Sequence, residues 1–223
     1  MTLSRKARWL AALLLFAGAL AYRHAREQPA GTHAAATARH AAAPAPRRML
    51  GTLAFTPCTL APQSGVANVE AQCATLPVPE NPALPAGRQV RLHIAWVPAD
   101  ETGTLAPDPV FMLAGGPGQS AAESYPQVAA AFREVLKTRN VILVDQRGTG
   151  HSNPLSCKDE DESAQQDEGA GDDATQARRM AERCRDALAK RADLRFYTTT
   201  DAVADLEDVR KALGVAQLNI PWS

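Results

Sequence analysis

Two short runs of consecutive apolar residues, 110–113 and 141–144, constrain the fold of this chain more than any other feature. A strand that is apolar throughout must be covered on both faces, as strands in parallel sheets are. The residues between the runs, 121–137, predict a helix. Strand, helix and strand in this order form a βαβ crossover, and such crossovers are nearly always right-handed. The sequence therefore predicts an α/β fold, with a mixed, mostly parallel sheet flanked by helices.

Further elements are predicted on both sides of this unit. Apolar and polar residues alternate over 88–98, which is typical of a strand with one buried face on the antiparallel side of a sheet. A helix is predicted over 174–190, where small or apolar residues recur on one face at helical spacing. That face consists of Ala177, Met180, Ala181, Cys184 and Leu188. The acidic residues 158–173 that precede it predict a solvated loop.

The segment 197–214 predicts another helix. Thr200 is interpreted as its N-cap, Asp201 suits the positive end of the helix dipole, and Gly214 supplies the stop. The apolar face consists of Val203, Leu206, Val209 and Leu213. Residues 215–220 are then expected to begin a further central strand.

The first part of the chain predicts export. Residues 1–21 combine a positive n-region, an apolar stretch of 13 residues and a small-x-small cleavage site, as a secretory signal does. An uncleaved anchor is the alternative, although 13 residues are too few to span a bilayer. Residues 22–48, rich in Ala, Pro and Arg, predict a disordered linker. A partial α/β domain over 49–223 remains, with no membrane span once the signal is cleaved, in the periplasm or outside the cell.

The formal net charge of zero is a sum of two opposed parts. Residues 1–50 hold eight Lys and Arg against one Asp or Glu, which leaves 16 basic against 23 acidic residues for the remainder. The folded part is therefore mildly acidic, and a nucleic-acid partner is not expected.

The four cysteines predict two disulfides, because their number is even and the chain is predicted to be exported. Cys58, Cys73, Cys157 and Cys184 allow three pairings, of which the local one, Cys58 with Cys73 and Cys157 with Cys184, closes two short loops. No spacing matches a CxxC site, so neither a metal nor redox chemistry is expected at these residues.

Three ordered motifs carry a family resemblance. "LAGGPGQS" (113–120), "VILVDQRGTGHS" (141–152) and "YTTTDAVADLEDVRKALG" (197–214) resemble the α/β-hydrolase fold of proline iminopeptidases and secreted tripeptidyl aminopeptidases. "CATLPVPENP" (73–82) looks like the entry segment of the secreted branch. The resemblance implies a serine peptidase that needs no cofactor and removes residues from the N-termini of peptide substrates through an acyl-enzyme.

The resemblance also implies roles for the glycine-rich residues 115–118. Gly115 and Gly116 correspond to the loop whose main-chain N–H helps to form the oxyanion hole, while Pro117 and Gly118 shape the turn. Ala114 stands where many iminopeptidases have His, which favours the tripeptidyl branch. A glycine admits a substrate carbonyl because it has no Cβ, and one preorganised donor lowers the barrier by about 3 kcal/mol.

The second motif is interpreted chiefly as scaffold. Gly148 permits a sharp turn, and Asp145 is expected to pair with Arg147 near the mouth of the site. His151 is interpreted as a solvated or locally hydrogen-bonded loop residue.

A nucleophile elbow is missing from this sequence. No G-x-S-x-G occurs in the 223 residues, and no histidine follows His151, so the Ser-Asp-His triad of the family is absent. Ser120 lies in a near match, G-x-S-x-A, but a helix-cap role is favoured over nucleophilic attack. We therefore expect an N-terminal portion of a hydrolase, truncated before the elbow and inactive by itself. An esterase or epoxide hydrolase of the same fold, and a non-enzymatic exported binding module, are the alternatives.

Overall fold

The computed structural model of the chain describes residues 46–62, 65–100, 104–116, 118–157 and 173–220. The predicted signal peptide, nearly all of the predicted linker and almost the whole acidic segment lie outside these residues. The predictions made for them stay predictions.

One mixed sheet of six strands organises the described part of the chain. The strands are β1 (Arg48–Leu50), β2 (Leu53–Leu60), β3 (Val69–Pro79), β4 (Gln89–Val97), β5 (Val110–Met112) and β6 (Val141–Val144), in the spatial order β1-β2-β3-β4-β6-β5. The first four form an antiparallel meander, and β4 also pairs antiparallel with β6. Only β5 and β6 pair in parallel. A mixed sheet is confirmed, but the described sheet is mostly antiparallel, contrary to the prediction.

The parallel pair forms the predicted βαβ unit, and its helix is broken. Helix α1 (Ala121–Val128) contains Pro126 and gives way to a 3-10 turn (Ala129–Phe132) before the single turn α2 (Arg133–Leu136). A proline inside a helix cannot donate to the preceding turn and so disturbs its regular hydrogen bonding. The prediction of a helical segment over 121–137 is confirmed, but the prediction that it is one continuous helix is wrong.

Strands β2 and β3 contain prolines, which weaken a strand prediction from sequence. Cys73 is the last residue of β3 that pairs with β2. Pro77 and Pro79 come after it, so they pair only with β4. Proline is tolerated where one side of a strand has no neighbour to receive an N–H group.

Two longer helices follow in the described C-terminal part. Helix α3 (Asp173–Ala189) confirms the predicted helix, but Ala177, Met180 and Ala181 are exposed and only Leu188 is buried among residues 174–189. Helix α4 (Thr199–Ala212) is capped by Thr198, not by Thr200 as predicted.

The predicted apolar face of α4 is correct at Val209 and Leu213 and wrong at Val203, which is 60% exposed. Gly214, with φ +71°, ends the helix as predicted. After it, residues 215–220 contribute a single parallel bridge, from Asn219 to Val110, instead of a full strand.

The sheet separates two apolar clusters. On one face, Val90, Leu92, Ile94 and Trp96 of β4 pack with Val209 and Leu213 of α4. On the other, Ala95 and Val97 pack with Ala121 and Tyr125 of α1. Strand β6 is buried on both faces, as its apolar sequence predicts. No helix in the described ranges is long and apolar enough to cross a membrane.

Candidate functional site

The carboxylate of Asp145 is the centre of the candidate site. Asp145 directly follows β6 and is 0% exposed. Its Oδ1 accepts hydrogen bonds from Ser120 Oγ (2.7 Å) and the N–H of Ala122 (3.2 Å). Its Oδ2 accepts from the N–H of His151 (3.0 Å) and lies 3.2 Å from His93 Nδ1. The carboxylate thus joins α1, β4 and the turn after β6.

The pKa of Asp145 lies below its ordinary value. Burial by itself raises this pKa, but the hydrogen bonds from His93, Ser120 and the N–H groups of His151 and Ala122 outweigh it. The side chain is therefore ionised at neutral pH, and His93 must donate its Nδ1–H to it.

Ser120 is the N-cap residue of α1. Its Oγ accepts from the N–H of Glu123 (3.0 Å), which confirms the predicted N-cap of α1. An activated serine bonds to an imidazole that takes its proton. Here Ser120 is 4% exposed and bonds to Asp145, so the carboxylate stands between the serine and His93.

The glycine-rich loop leads from β5 to Ser120. Gly116 and Gly118 have φ of +129° and +86°, and a Cβ on Gly116 would lie 2.8 Å from Gln119 Cγ. Gly115 differs, since its φ is not in the left-handed region and an added Cβ would meet nothing within 4 Å. Pro117 lies outside the described residues. The oxyanion-hole role of Gly115 and Gly116 stays a prediction.

The turn after β6 has glycine at two positions where the backbone is left-handed and close to other atoms. Gly148 has φ +83°, with Tyr197 Cδ1 3.0 Å from the position of a Cβ. Gly150 has φ +48°, and a Cβ there would lie 2.3 Å from Asp145 Oδ2. The turn can close over the carboxylate only because residue 150 has no side chain.

The predicted ion pair between Asp145 and Arg147 is wrong. Arg147 is buried and binds Asp205 of α4 through two hydrogen bonds of 2.6 Å. Its remaining donor atom bonds to the carbonyl oxygens of Glu80 (3.2 Å) and Phe196 (2.5 Å). The planar guanidinium fits this set of acceptors because its donors form a fork. Arg147 therefore attaches the turn to α4, and Asp145 is left to the amide and side-chain donors around it.

Glu80 extends this buried network. Its carboxylate pairs with Arg88 (3.1 Å) and accepts from the N–H of Asp193 (3.0 Å) and the hydroxyl of Tyr197 (3.1 Å). Burial and the neighbouring Glu80 charge raise the pKa of Tyr197 to about 12. The hydroxyl is therefore a hydrogen-bond donor at any ordinary pH.

A surface groove of 630 Å³ lies beside the carboxylate cluster. Its lining includes His93, His151, the Cys58–Cys73 disulfide and Glu123. The rings of His93 and His151 meet edge to face, with centroids 5.1 Å apart. The sequence gives no sign of this pair, because 58 residues separate the two histidines along the chain.

Two disulfides are present as predicted, and of the three pairings left open the structure has the local one, Cys58–Cys73 and Cys157–Cys184. Glu80, His93 and Asp205 were not predicted from the sequence as site residues. Asp205 carried a usable signal, since it falls at helical spacing from Ala202 and Val209, on the face that is buried.

Comparison with known proteins relates part of the chain to hydrolases. No family model matches the chain. It is 30% identical over 158 residues to proteins named tripeptidyl aminopeptidase from Streptomyces lividans and Streptomyces coelicolor, which covers 66% of this chain and 29% of each relative. It is 37% identical over 93 residues to a protein named carboxylesterase B from Mycobacterium tuberculosis, which covers 40% of this chain and 17% of that relative. The chain thus spans less than a third of the length of these relatives. Over the matched residues it is a relative of hydrolases that include tripeptidyl aminopeptidases and carboxylesterases.

Proposed function

We propose that this chain is part of an exported serine hydrolase of the α/β-hydrolase fold that removes residues from the N-termini of peptides. The similarity to tripeptidyl aminopeptidases over two thirds of the chain supports the reaction class. The parallel β5–α1–β6 unit and the glycine-rich loop between β5 and α1 support the fold. The two disulfides support export, because such bonds persist in oxidising compartments.

The observation that carries the proposal is the conformation of Gly115. Neither backbone strain nor a neighbouring atom requires glycine there, in contrast to Gly116 and Gly118. An exposed glycine that the fold does not require fits a position where a substrate carbonyl must approach the main chain.

In this proposal the chain supplies the oxyanion loop and its support, but not the attacking group. Ser120 is bonded to Asp145, and the sequence contains no G-x-S-x-G elbow. The nucleophile and its histidine would belong to a part of the enzyme that these 223 residues do not represent. A fluorophosphonate probe is accordingly expected to leave the purified chain unlabelled, and labelling of Ser120 would contradict this division of roles.

A chimera tests the function. The matching segment of the Streptomyces lividans enzyme is replaced by the matching 158 residues of this chain, and hydrolysis of a tripeptidyl p-nitroanilide is measured. We expect turnover, and a loss of about 100-fold in kcat when Gly115→Ala is added, as for other oxyanion donors that are blocked. The same substitution in the chain itself is expected to change the free energy of unfolding by less than about 0.5 kcal/mol. A folded chimera whose Gly115→Ala form retains full kcat would refute the role of the loop.

Ester hydrolysis is the second candidate, because the relative at 37% identity is named carboxylesterase B. The same chimera is assayed with p-nitrophenyl esters of short acids. A preference for the esters that depends on Gly115 would favour this reaction over peptide cleavage.

A further inference from the structure

The histidine pair in the groove is used neither by the proposed reaction nor by the fold's core. His93 lies on β4 and His151 in the turn after β6, and both line the groove of 630 Å³. We propose that these two imidazoles form a binding site for a late first-row transition metal ion, such as Zn²⁺ or Cu²⁺. Imidazole nitrogen suits these ions, whereas Mg²⁺ and Ca²⁺ prefer oxygen.

Asp145 prepares His93 for this role. Its Oδ2 lies 3.2 Å from His93 Nδ1, so this nitrogen is occupied and Nε2 is the one left to bind a metal ion. Metal-binding histidines nearly always donate their second ring N–H to a carboxylate or carbonyl, which fixes the tautomer and the ring orientation. The hydrogen bond to Asp145 thus orients the His93 ring in the way that is usual for a metal-binding histidine.

The distance between the rings fits one shared ion. With a Zn–N bond of about 2.0–2.1 Å and roughly 1.1 Å more to the ring centre, two imidazoles on one tetrahedral ion have centroids about 5.2 Å apart. The centroids of His93 and His151 are 5.1 Å apart. The rings meet edge to face at 71°, so in this proposal the exposed His151 ring turns to bring a nitrogen to the ion. The backbone of His151 stays in place, because its N–H is bonded to the Asp145 carboxylate at 3.0 Å.

The site would be open to solvent. Among the described residues, no group of three or more His, Cys, Asp or Glu side chains is arranged to hold a metal ion. Water from the open groove would complete the coordination. The nearby Cys58 and Cys73 are joined to each other and supply no thiolate.

Calorimetric titration of the full chain with Zn²⁺, with both disulfides intact, tests the site. The chain has three other histidines, His24, His33 and His40, all outside the described residues. A triple variant H24Q/H33Q/H40Q is therefore the matched control, and it is expected to bind one Zn²⁺ as tightly as the wild type. Within this triple variant, His93→Gln or His151→Gln is expected to weaken binding by about tenfold or more, and the two substitutions together to abolish it. Binding that survives when all five histidines are replaced, disappears in the triple variant, or is absent from the wild type would overturn the proposal.

A measurement on the wild type covers the case in which a histidine variant does not fold. Substoichiometric Cu²⁺ broadens the NMR signals of nearby nuclei. We expect broadening of the backbone amides of Leu60, His93, Ala122 and His151, all of which line the groove. Broadening confined to residues 22–45 would place the ion on the other histidines and refute the site.

Discussion

A buried carboxylate is stable only when its charge is compensated, and in the described part of the chain Asp145 achieves this with no Lys or Arg bonded to it. Two main-chain N–H groups, one hydroxyl and one imidazole point at its two oxygens. Its carbonyl also accepts a 2.7 Å bond from Ser152 Oγ. Since the donors come from three segments, the loss of this one charge should loosen the start of α1 and the turn together.

Asp145→Asn is expected to destabilise the chain by about 3 kcal/mol at neutral pH, because an amide NH₂ would face the N–H of His151. The pKa of Asp145 is lowered by folding, so the stability it contributes is present above its unfolded pKa of about 3.9 and is lost as the pH falls through the folded value. The difference between wild type and variant should therefore shrink below about pH 4. Urea unfolding across this range measures it. The control Asp186→Asn removes an exposed partner of Arg185, and a variant difference independent of pH would contradict the assignment.

Two glycines have almost the same φ but different surroundings, so replacing each by Ala distinguishes the cost of backbone strain from the cost of a steric clash. Gly150 has φ +48° and Gly65 has φ +50°, but only Gly150 faces Asp145 Oδ2, 2.3 Å from an added Cβ. Gly65→Ala is expected to cost about 1 kcal/mol, the usual penalty for a left-handed L-residue. Gly150→Ala should cost at least twice as much, as measured by thermal unfolding. Equal losses would mean that the turn can move away from the carboxylate.

At the scale of the element, helix α4 is rotated relative to the face that its sequence predicts. The apolar periodicity placed Val203 inward, yet the helix buries Ala202 and Asp205 and leaves Val203 exposed. Arg147 explains the difference, because a buried guanidinium requires a carboxylate partner and Asp205 supplies it. A hydrophobicity pattern cannot reveal this, since the partner lies 58 residues away.

The start of α4 yields a test with its own control. The Thr198 side chain accepts from the N–H of Asp201, and Asp201 in turn accepts from the N–H of Thr198. Thr198→Ala should therefore lower the free energy of unfolding by about 1 kcal/mol. Thr200→Ala, at the exposed second residue of the helix, should change it by less than about 0.5 kcal/mol. Urea midpoints of the two variants decide between them, and a larger effect at Thr200 would restore the cap predicted from the sequence.

Across the whole molecule, local sequence patterns were sufficient to predict local structure. They did not predict contacts between segments that are far apart along the chain. The apolar runs of β5 and β6 and the alternation in β4 were sufficient for these strands, and the even number of cysteines was sufficient for two disulfides but not for their pairing. Strands β1, β2 and β3 were missed. Pro57 lies beyond the last residue of β2 that pairs with β1, and Pro77 and Pro79 lie beyond the last residue of β3 that pairs with β2, so only the fold shows that these prolines are tolerated. The cluster around Asp145 depends on β4 lying beside β6, which brings His93 next to a residue 52 positions later.

The two disulfides are expected to stabilise different parts of the molecule, one the sheet and the other helix α3. Cys58–Cys73 joins β2 to β3 inside the sheet, whereas Cys157–Cys184 attaches α3, whose residues 174–189 bury only Leu188. Elements with few buried apolar contacts open without global unfolding. Loss of the second bond should therefore release α3 while the sheet persists.

Amide hydrogen exchange of two double variants measures this. C157A/C184A should raise exchange throughout α3 and leave the amides of β4 and β6 protected as in the wild type. C58A/C73A, which opens a loop of 15 residues, should reduce protection across the sheet by the equivalent of about 3 kcal/mol. Equal loss of protection in β4 and β6 in both variants would show that α3 unfolds only together with the rest of the domain. In that case the few contacts around Leu188 would couple the helix to the core more strongly than its buried surface suggests.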